Sequence, residues 1–368
     1  MFCCSTVSMS EHITINGERL TVSALPSWSK GRCGIAAELA DFLKLWYSES
    51  PVIPLQTSGS TGTPTLLPGN KISMKASARL SCEIFGINEH SRVLLCLPLR
   101  YIAGKMMVVR ALVSGANLLL REPSSTPLAE LTEDVDFAPL VPMQAASTLR
   151  QPNGVAQLAR ARCILLGGGF IDPTLTRELQ QVPSRIYASY GMTETYSHIA
   201  LRRVNGAECS DWYTPLPGVQ IKLGPQGTLS LSAPHLGIQE LITNDLAECD
   251  GNGNFRILGR IDSVINSGGV KLQAEQIEQE LTAATGLNLL LLPRPDPILG
   301  QCAVLVWEGP STARQRLLSA IAELPTYHRP RLIHHIPELP RTATGKLNRA
   351  AAGALLTHTQ TADPTPCQ

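Results

Sequence analysis

The chain has 368 residues, a formal net charge of +1 and 43% hydrophobic residues. Its length exceeds one ordinary domain and predicts a large unit plus a smaller one. The near-zero charge, without a Lys/Arg-dense run, argues against nucleic acid or an anionic membrane surface as a partner. No apolar run reaches membrane-spanning length, so we expect no integral membrane contact.

The ten cysteines are scattered without the spacing of metal ligands. Cys96, Cys163 and Cys302 lie in apolar, strand-like runs, where a thiol usually acts as a small buried hydrophobe. Residues 1–10 lack the features of a signal peptide, and Met9 is an alternative start. We therefore expect reduced thiols and a cytoplasmic protein, with a homo-oligomer left open.

Strand-like and helical patterns alternate from residue 12 to residue 203, which is typical of a parallel α/β domain. After a hairpin at Asn16-Gly17, the predicted elements are helix Cys33–Tyr47, strand Val52–Gln56, helix Ile72–Phe85, strand Val93–Leu97, helix Lys105–Ser114, strands Asn117–Leu120, Phe137–Val141 and Cys163–Leu166, helix Pro173–Gln181, and strands Arg185–Ala188 and His198–Arg203.

The pattern then changes to short alternating runs separated by Pro and Gly, which predicts a small β subdomain. Its predicted strands are Val219–Leu223, Thr228–Ser232 and Gln239–Thr243. A compact α+β unit follows, with strands Val264–Asn266, Val270–Leu272 and Ala303–Trp307 and helices Ala274–Ala284 and Ala313–Leu324. We predict a large domain at residues 1–261, a mobile small domain at 262–356 and a disordered tail at 357–368.

A loop of small and hydroxyl residues follows the strand Val52–Gln56 and precedes the helix Ile72–Phe85. Its backbone N–H groups and hydroxyls could surround a phosphate, although a bare pattern of this kind is more often a linker. The residues are Thr57, Ser58, Gly59, Ser60, Thr61, Gly62, Thr63 and Pro64. The lysine that ends a Walker loop is missing.

The stretch Ser189-Tyr190-Gly191-Met192-Thr193-Glu194-Thr195 places hydroxyls and one carboxylate beside a glycine-relieved turn. This combination is suited to a metal-bound phosphate, and one carboxylate is enough for Mg²⁺ when nucleotide oxygens complete its shell. A helix N-terminus carrying a solvated acid is an equal alternative for this stretch alone. The turn Gly167-Gly168-Gly169 would let the backbone approach a planar ligand, or would simply be tight.

Three further groups lie downstream. They are Asp245 with Arg260 and Asp262, the loop Ser267-Gly268-Gly269-Val270-Lys271, and the turn Thr344-Gly345-Lys346. Taken singly, each is more often a solvated surface charge or an ordinary turn. Taken in order with the upstream motifs, they closely resemble the adenylate-forming enzymes, that is, the acyl-CoA synthetases and their relatives.

This resemblance implies a role for each nucleotide-binding motif. The Thr57–Thr63 loop would bind the β- and γ-phosphates of ATP, although the usual lysine is replaced by Thr65, for which Lys71 is a partial substitute. Tyr190, Gly191 and Met192, with Gly167–Gly169 and Ser189, would surround the nucleotide base. Thr193 would bind the α-phosphate and Glu194 would ligate magnesium.

The resemblance also implies roles for the downstream groups. Asp245 would accept hydrogen bonds from the ribose hydroxyls, and Arg260 would reach ribose or phosphate. Asp262 would be the hinge between the domains, and Gly268, Gly269 and Lys271 would line the thiol tunnel. Lys346 would enter the site during adenylation.

Among these enzymes, the short o-succinylbenzoate–CoA ligases of menaquinone synthesis are the most similar, through the stretches 97–105 and 165–169. Their substrate retains a second carboxylate, for which the pocket needs a cation or several donors. The candidate substrate residues are Arg100, Tyr101, Lys105, Ser189, Ser197 and His198. Tyr101 stands where most relatives have His.

The function that this resemblance implies is an acid–CoA ligase that uses ATP, Mg²⁺ and CoA. A small-molecule carboxylate would first become an acyl-adenylate and then a thioester. Two alternatives stay open: an adenylation enzyme that loads an aryl or amino acid onto a carrier protein, and a non-catalytic nucleotide-binding homologue.

Overall fold

The structure, a computed structural model, describes residues 12–57, 65–129, 131–342, 346–358 and 363–364. Its strands are β1 (His12–Ile15), β2 (Glu18–Thr21), β3 (Val52–Gln56), β4 (Leu66–Asn70), β5 (Arg92–Leu95), β6 (Asn117–Leu120), β7 (Val135–Leu140), β8 (Ala161–Leu166), β9 (Arg185–Met192), β10 (Ser197–Arg203), β11 (Thr214–Pro215), β12 (Gln220–Leu223), β13 (Thr228–Ala233), β14 (Ile238–Cys249), β15 (Phe255–Arg260), β16 (Val264–Ser267), β17 (Val270–Gln273), β18 (Asn288–Asp296), β19 (Gly300–Glu308), β20 (Leu332–Ile336) and β21 (Asp363–Pro364). Its helices are α1 (Leu25–Ser29), α2 (Gly34–Tyr47), α3 (Lys71–Phe85), α4 (Ile102–Ser114), α5 (Pro142–Leu149), α6 (Gly154–Ala159), α7 (Pro173–Leu179), α8 (Ala274–Thr285), α9 (Arg314–Glu323) and α10 (Arg349–His358).

A nine-stranded sheet of order β11-β10-β9-β8-β7-β5-β6-β1-β2 forms the centre of the large domain. The strands from β9 to β1 run parallel, and antiparallel pairs close both ends. Val93 and Leu95 of β5 pack in one core with α2, α3 and α4, whereas Leu94 packs in a second core with α5, α6 and α7. Burial on both faces explains the continuous apolar runs of these strands and confirms the predicted α/β class.

The loop after Gln56 does not lead directly into a helix, so that part of the prediction was wrong. It joins β3 to β4 in an antiparallel hairpin, with Gln56 opposite Leu66. The helix α3 begins only after β4, where the Asn70 side chain accepts hydrogen bonds from the backbone N–H groups of Ile72 and Ser73.

The predicted small β subdomain is a four-stranded antiparallel sheet of order β12-β13-β14-β15. Its strand β14 extends to Cys249, beyond the predicted end at Thr243, and β15 was not predicted. This extension matters because it places Asp245 directly opposite Arg260 on neighbouring strands.

The chain after Arg260 forms a further sheet, β17-β16-β19-β20-β21, with β18 paired to β19. Helices α8 and α9 pack on it around a core that includes Ile277, Leu291, Trp307 and Leu317. The strands β18 and β20 were not predicted. The domain limits 1–261 and 262–356 stay a prediction, and residues 359–362 and 365–368 of the predicted tail lie outside the described residues.

Within the described ranges, every helix is too short or too polar to cross a bilayer. Cys96, Cys163 and Cys302 are buried, as predicted, and the seven cysteines in those ranges are free thiols.

Candidate active site

The motif at residues 190–195 is a strand followed by a tight connection, neither a helix N-terminus nor a turn that begins at its glycine. β9 continues through Met192 and β10 begins at Ser197. Gly191 is needed within the strand because an added Cβ would lie 2.1 Å from the Ser197 carbonyl oxygen of β10. The glycine therefore permits close pairing of two strands, and the connection itself is Thr193–Tyr196.

Thr195 holds this connection in place. Its buried hydroxyl accepts a hydrogen bond from the Met192 N–H at 3.0 Å and lies 2.7 Å from the Ser197 carbonyl oxygen. Tyr196 has a φ of 54° and Ser197 a φ of 129°, conformations that L-residues rarely adopt. The constrained backbone leaves Thr193 buried and directs Glu194 into solvent.

A chain of hydrogen bonds connects the motif to the second sheet. The Tyr190 hydroxyl donates to Asp245 Oδ2 at 2.6 Å, and Arg260 Nη1 donates to Asp245 Oδ1 at 3.2 Å. Arg260 also binds Asp262 through Nε at 2.9 Å and Nη2 at 2.7 Å. Burial, together with the Asp245 charge, raises the pKa of Tyr190, and the Arg260 hydrogen bond lowers the pKa of Asp262. Four predicted site residues are thus in direct contact.

Lys346 approaches the same group from the small domain. Lys346 as a whole residue is exposed, yet its ammonium is partly desolvated. The ammonium also lies within electrostatic reach of Arg260 and Asp245. Desolvation, and secondly the Arg260 charge, lower the pKa of Lys346. The ammonium is therefore close enough to Arg260 and Asp245 for their charges to act on it.

The Gly167–Gly169 turn follows β8, directly beside the end of β9. Ser189 Oγ donates to the Leu166 carbonyl at 3.0 Å, and a Cβ on Gly167 would lie 2.7 Å from that hydroxyl. Parallel strands place their carboxyl ends at one edge of a sheet, where α/β proteins bind ligands. The turn and Tyr190 therefore line the same edge.

Arg110, on α4, is a residue that sequence reasoning missed. It is 1% exposed, and its N–H groups reach Ser81 Oγ at 2.8 Å, Ser197 Oγ at 3.0 Å and His198 Nδ1 at 3.5 Å. No carboxylate of the described residues pairs with it. Burial lowers the pKa of Arg110 to about 10, so the guanidinium stays charged at neutral pH.

His198 adds an unsatisfied polar atom beside this cation. Its Nε2 is buried and makes no hydrogen bond. Burial, and secondly the Arg110 charge, hold the pKa of His198 well below its usual value, so the ring is neutral. An unpaired buried cation and an unpaired imidazole nitrogen together fit an anionic group.

The other predicted cations are used differently. The Lys105 ammonium donates to the backbone carbonyls of Leu99 and Arg100. Lys71, the proposed substitute for the missing loop lysine, donates to the Ser48 carbonyl at 2.8 Å. Its ammonium is therefore already bonded within the protein. Arg100 is exposed and stacks over the Tyr101 ring, with its Cζ 4.8 Å from the ring centroid.

Of the phosphate loop, only its first residue can be placed. Thr57 accepts a hydrogen bond from the Thr65 N–H through Oγ1 at 3.0 Å. Ser58, Gly59, Ser60, Thr61, Gly62 and Thr63 lie outside the described residues.

The candidate thiol loop joins β16 to β17. Gly268 and Gly269 have φ values of 58° and 84°, and Lys271 is exposed. Gly268 contacts Leu299, whereas a Cβ on Gly269 would meet no atom within 4 Å. There is free space beside Gly269.

The donor set can be compared with the needs of magnesium. In the part of the chain that the structure describes, no three His, Cys, Asp or Glu side chains converge on one point. Glu194 alone is exposed on the constrained connection. A single carboxylate fits Mg²⁺ that is mainly bound by nucleotide oxygens, but would not hold the ion alone.

Comparison with known proteins agrees with this geometry. The family model for AMP-binding enzymes matches residues 27–234. The 2-succinylbenzoate–CoA ligase of Lactococcus lactis is 26% identical, over 89% of this chain and 75% of its own length. The chain spans 57% of the length of the corresponding Escherichia coli enzyme.

Solved structures show the same relationship. An acyl-CoA synthetase/AMP-acid ligase II-like protein of Dyadobacter fermentans is 35% identical with a TM-score of 0.61, and the match covers 91% of this chain and 98% of that one. The o-succinylbenzoate CoA synthetase of Bacillus subtilis, solved with the acyl-adenylate OSB-AMP, is 25% identical with a TM-score of 0.69, over 84% and 69% of the two chains. The chain therefore belongs to the family of AMP-binding enzymes.

Proposed function

We propose that this protein is an AMP-forming acid–CoA ligase whose substrate is o-succinylbenzoate or a dicarboxylate of similar shape. The observation that carries the proposal is the chain of contacts Tyr190–Asp245–Arg260, with Lys346 approaching it from the small domain. The names of the 2-succinylbenzoate–CoA ligases among its relatives support the substrate class.

In the first half-reaction, a carboxylate oxygen attacks the α-phosphate of ATP, the bond to pyrophosphate breaks, and an acyl-adenylate forms. Asp245 binds the ribose hydroxyls in place of its present Tyr190 partner, and Arg260 binds ribose or phosphate. Lys346 and Thr193 stabilise the charge that develops at the α-phosphate. Gly167–Gly169 and Tyr190–Met192 line the base.

Glu194 would hold magnesium together with nucleotide oxygens, and the bound ion would supply charge neutralisation at the phosphates. The Thr57–Thr63 loop binds the β- and γ-phosphates through backbone N–H groups and hydroxyls. With Lys71 bound to Ser48, we infer no lysine contact there. This arrangement depends on positioning and charge, as phosphoryl transfer generally does.

In the second half-reaction, the CoA thiolate attacks the acyl carbonyl carbon, AMP leaves, and the thioester remains. The small domain reorients about Asp262, which withdraws Lys346 and brings Gly268, Gly269 and Lys271 to the site. Gly269 is exposed and an added Cβ there would meet no atom within 4 Å, so the described residues leave room beside it for a pantetheine chain.

The group that receives the retained carboxylate is Arg110, with Ser197 and His198 beside it. A buried guanidinium without a carboxylate partner is costly, and a substrate anion offsets that cost. Lys105 is less suited because its ammonium is already bonded to backbone carbonyls. Arg100 and Tyr101 then lie at the exposed start of α4, where Tyr101 can cover the acyl pocket.

We place the protein in the cytoplasm, where its thiols stay reduced, and leave its oligomeric state to measurement. The division at residue 262 into a large and a mobile small domain is part of the mechanism.

The test is ATP–pyrophosphate exchange with a panel of carboxylic acids, followed by thioester detection with CoA. o-Succinylbenzoate should give exchange well above benzoate, fatty acids or amino acids. Equal turnover of a monocarboxylate would contradict the substrate assignment. Transfer to a carrier protein but not to CoA would indicate a carrier-loading enzyme, and absence of all exchange would indicate a non-catalytic homologue.

A further inference from the structure

Residues 340–342 and 346–348, the two arms that flank residues 343–345 outside the described ranges, are bonded to each other. The Thr342 N–H donates to the Lys346 carbonyl at 2.7 Å, and the Asn348 N–H donates to the Pro340 carbonyl at 2.7 Å. Arg341 and Leu347 pair across the loop. Because the arms are short, the position of the Lys346 ammonium depends on how each arm is fixed to the small domain.

The arm before Lys346 is fixed by Glu308, at the end of β19. Glu308 Oε2 accepts from the Leu339 N–H at 2.6 Å, and Oε1 accepts from Arg341 Nη2 at 2.5 Å. The Glu308 side chain is 14% exposed, so these charge-assisted bonds are only partly screened by water.

The arm after Lys346 is fixed by Arg349, three residues along the chain. Arg349 Nη2 donates to Glu278 Oε2 at 2.5 Å, and Nη1 donates to the Leu291 carbonyl at 3.1 Å. The other oxygen of Glu278 accepts from the Leu291 N–H at 2.5 Å. Arg349 is therefore held by helix α8 and strand β18 together.

The same arginine is connected to the hinge. Arg349 Nη2 lies 3.9 Å from Glu275 Oε1, which accepts from Ser263 Oγ at 3.0 Å. Ser263 follows Asp262 directly. A continuous set of contacts thus links the hinge to the loop of Lys346.

We propose that Arg349 and Glu278, with Glu308 on the opposite arm, are positioning residues that hold Lys346 for the adenylate-forming half-reaction. This inference rests on the proposed function. The hydrogen bonds of the three residues all lie within the small domain, and none joins Tyr190, Asp245 or Arg260 in the described residues. They act on the reaction through Lys346 and not on the substrates.

The direct test is Arg349→Met, which keeps the aliphatic stem and removes the donors. Adenylation, measured by ATP–pyrophosphate exchange, should fall about tenfold to a hundredfold, because a displacement near 1 Å can cost that much. Thioester formation from presynthesised acyl-adenylate and CoA should stay within about twofold. Arg349→Lys should recover part of the exchange. Arg316→Met, at an exposed position of α9, is the matched control and should change neither half-reaction.

A double-mutant cycle separates positioning from a general structural role. In a Lys346→Ala background, Arg349→Met should have no further effect on adenylation, because there is no ammonium left to position. The proposal would be wrong if Arg349→Met and Lys346→Ala reduced adenylation multiplicatively, or if Arg349→Met reduced both half-reactions equally. Should Arg349→Met fail to fold, Glu278→Gln and Glu308→Gln, which conserve shape, take its place in the same cycle. Absence of exchange in the unmodified protein would refute the proposed function itself, and with it this inference.

Discussion

At the scale of single residues, Arg110 is the least expected feature of the site. Arg110 directly follows the apolar run Met106-Met107-Val108-Val109, and it is itself only 1% exposed. The signal that was available is its surroundings: with Lys105, it is one of two charges in an otherwise apolar helix, most of whose residues are buried. The sequence analysis names Arg100 and Lys105 instead, the two cations of the stretch 97–105 that carries the resemblance.

Arg110→Met tests whether the buried cation binds the retained carboxylate. The KM for o-succinylbenzoate should rise about tenfold to a hundredfold, since a hydrogen bond to a charged group contributes roughly 1.5–3 kcal/mol. Exchange with benzoate should not fall. Arg100→Met is the comparison at the exposed position, and a larger effect there would transfer the role to Arg100.

His198 should make stability depend on pH. Burial, and secondly the Arg110 charge, depress the pKa of His198 in the folded protein. The neutral His198 ring therefore contributes fully to the free energy of unfolding above the unfolded-state pKa near 6.5, and this contribution is lost as the pH falls below that value. The free energy of unfolding should then drop by up to about 1.4 kcal/mol per pH unit below 6.5. Denaturant unfolding of the unmodified protein and of His198→Gln between pH 7.5 and 5 compares the slopes. Identical slopes would show that His198 accepts a proton without unfolding.

At the scale of elements, the sequence predicted the buried parallel strands well and the irregular strands poorly. β4 was missed because Pro68 and Gly69 contradict a strand pattern, although Gly69 is required where the Leu55 side chain lies against the hairpin. β18 was missed because of Pro293 and Pro295, which are tolerated since, among the described strands, β18 pairs with β19 alone. In each case a tertiary contact outweighs local propensity.

The connection after β9 was recognised by its residues but not by its shape. The motif names the side chains to which the resemblance assigns roles, whereas the strain at Tyr196 and Ser197 depends on pairing with β10 and on the Thr195 hydroxyl. Neither the pairing with β10 nor the hydrogen bonds of the Thr195 hydroxyl can be predicted from six residues of sequence. The roles of its residues stay predictions until they are tested.

Glu194→Gln tests the metal role of this connection. The amide keeps the shape but removes the charge that opposes Mg²⁺, so half-maximal exchange should need about tenfold more magnesium or more, a difference of about 1.4 kcal/mol. Because Glu194 is exposed, the thermal midpoint should not change. A magnesium titration that matches the unmodified protein would exclude Glu194 as a ligand.

At the scale of the whole molecule, the proposed function requires two positions of the small domain. The Lys346 ammonium lies within electrostatic reach of Arg260 and Asp245, the arrangement that the proposal requires for adenylation, and the proposed thiol loop is on the same domain. The order of motifs along the chain predicts these two roles, which stay predictions, but the distances between the motifs required the fold.

Substitutions at Lys346 and Gly269 should therefore each impair a different half-reaction. Lys346→Ala should slow adenylation about a hundredfold to a thousandfold, roughly 3–4 kcal/mol, by analogy with loss of one preorganised donor, and leave thioester formation nearly intact. Gly269→Trp should do the reverse by filling the open space beside the loop. Each variant is assayed for both steps, with circular dichroism as the control for folding. Equal impairment of both steps by Lys346→Ala would contradict the two-position mechanism.

The edge of the large sheet has a consequence for the order in which the chain folds. Strand β1 pairs with β6, and Asn16 hydrogen-bonds through its backbone N–H to the Leu118 carbonyl at 3.0 Å and through its side chain to the Leu120 N–H at 2.9 Å. About a hundred residues separate these partners, so at 5–20 residues per second the β1–β2 hairpin leaves the ribosome roughly 5–20 s before the strand it must join. During that interval its apolar face, Ile13 and Ile15, has no permanent partner, and the newly made chain is most exposed to misassembly before β6 arrives.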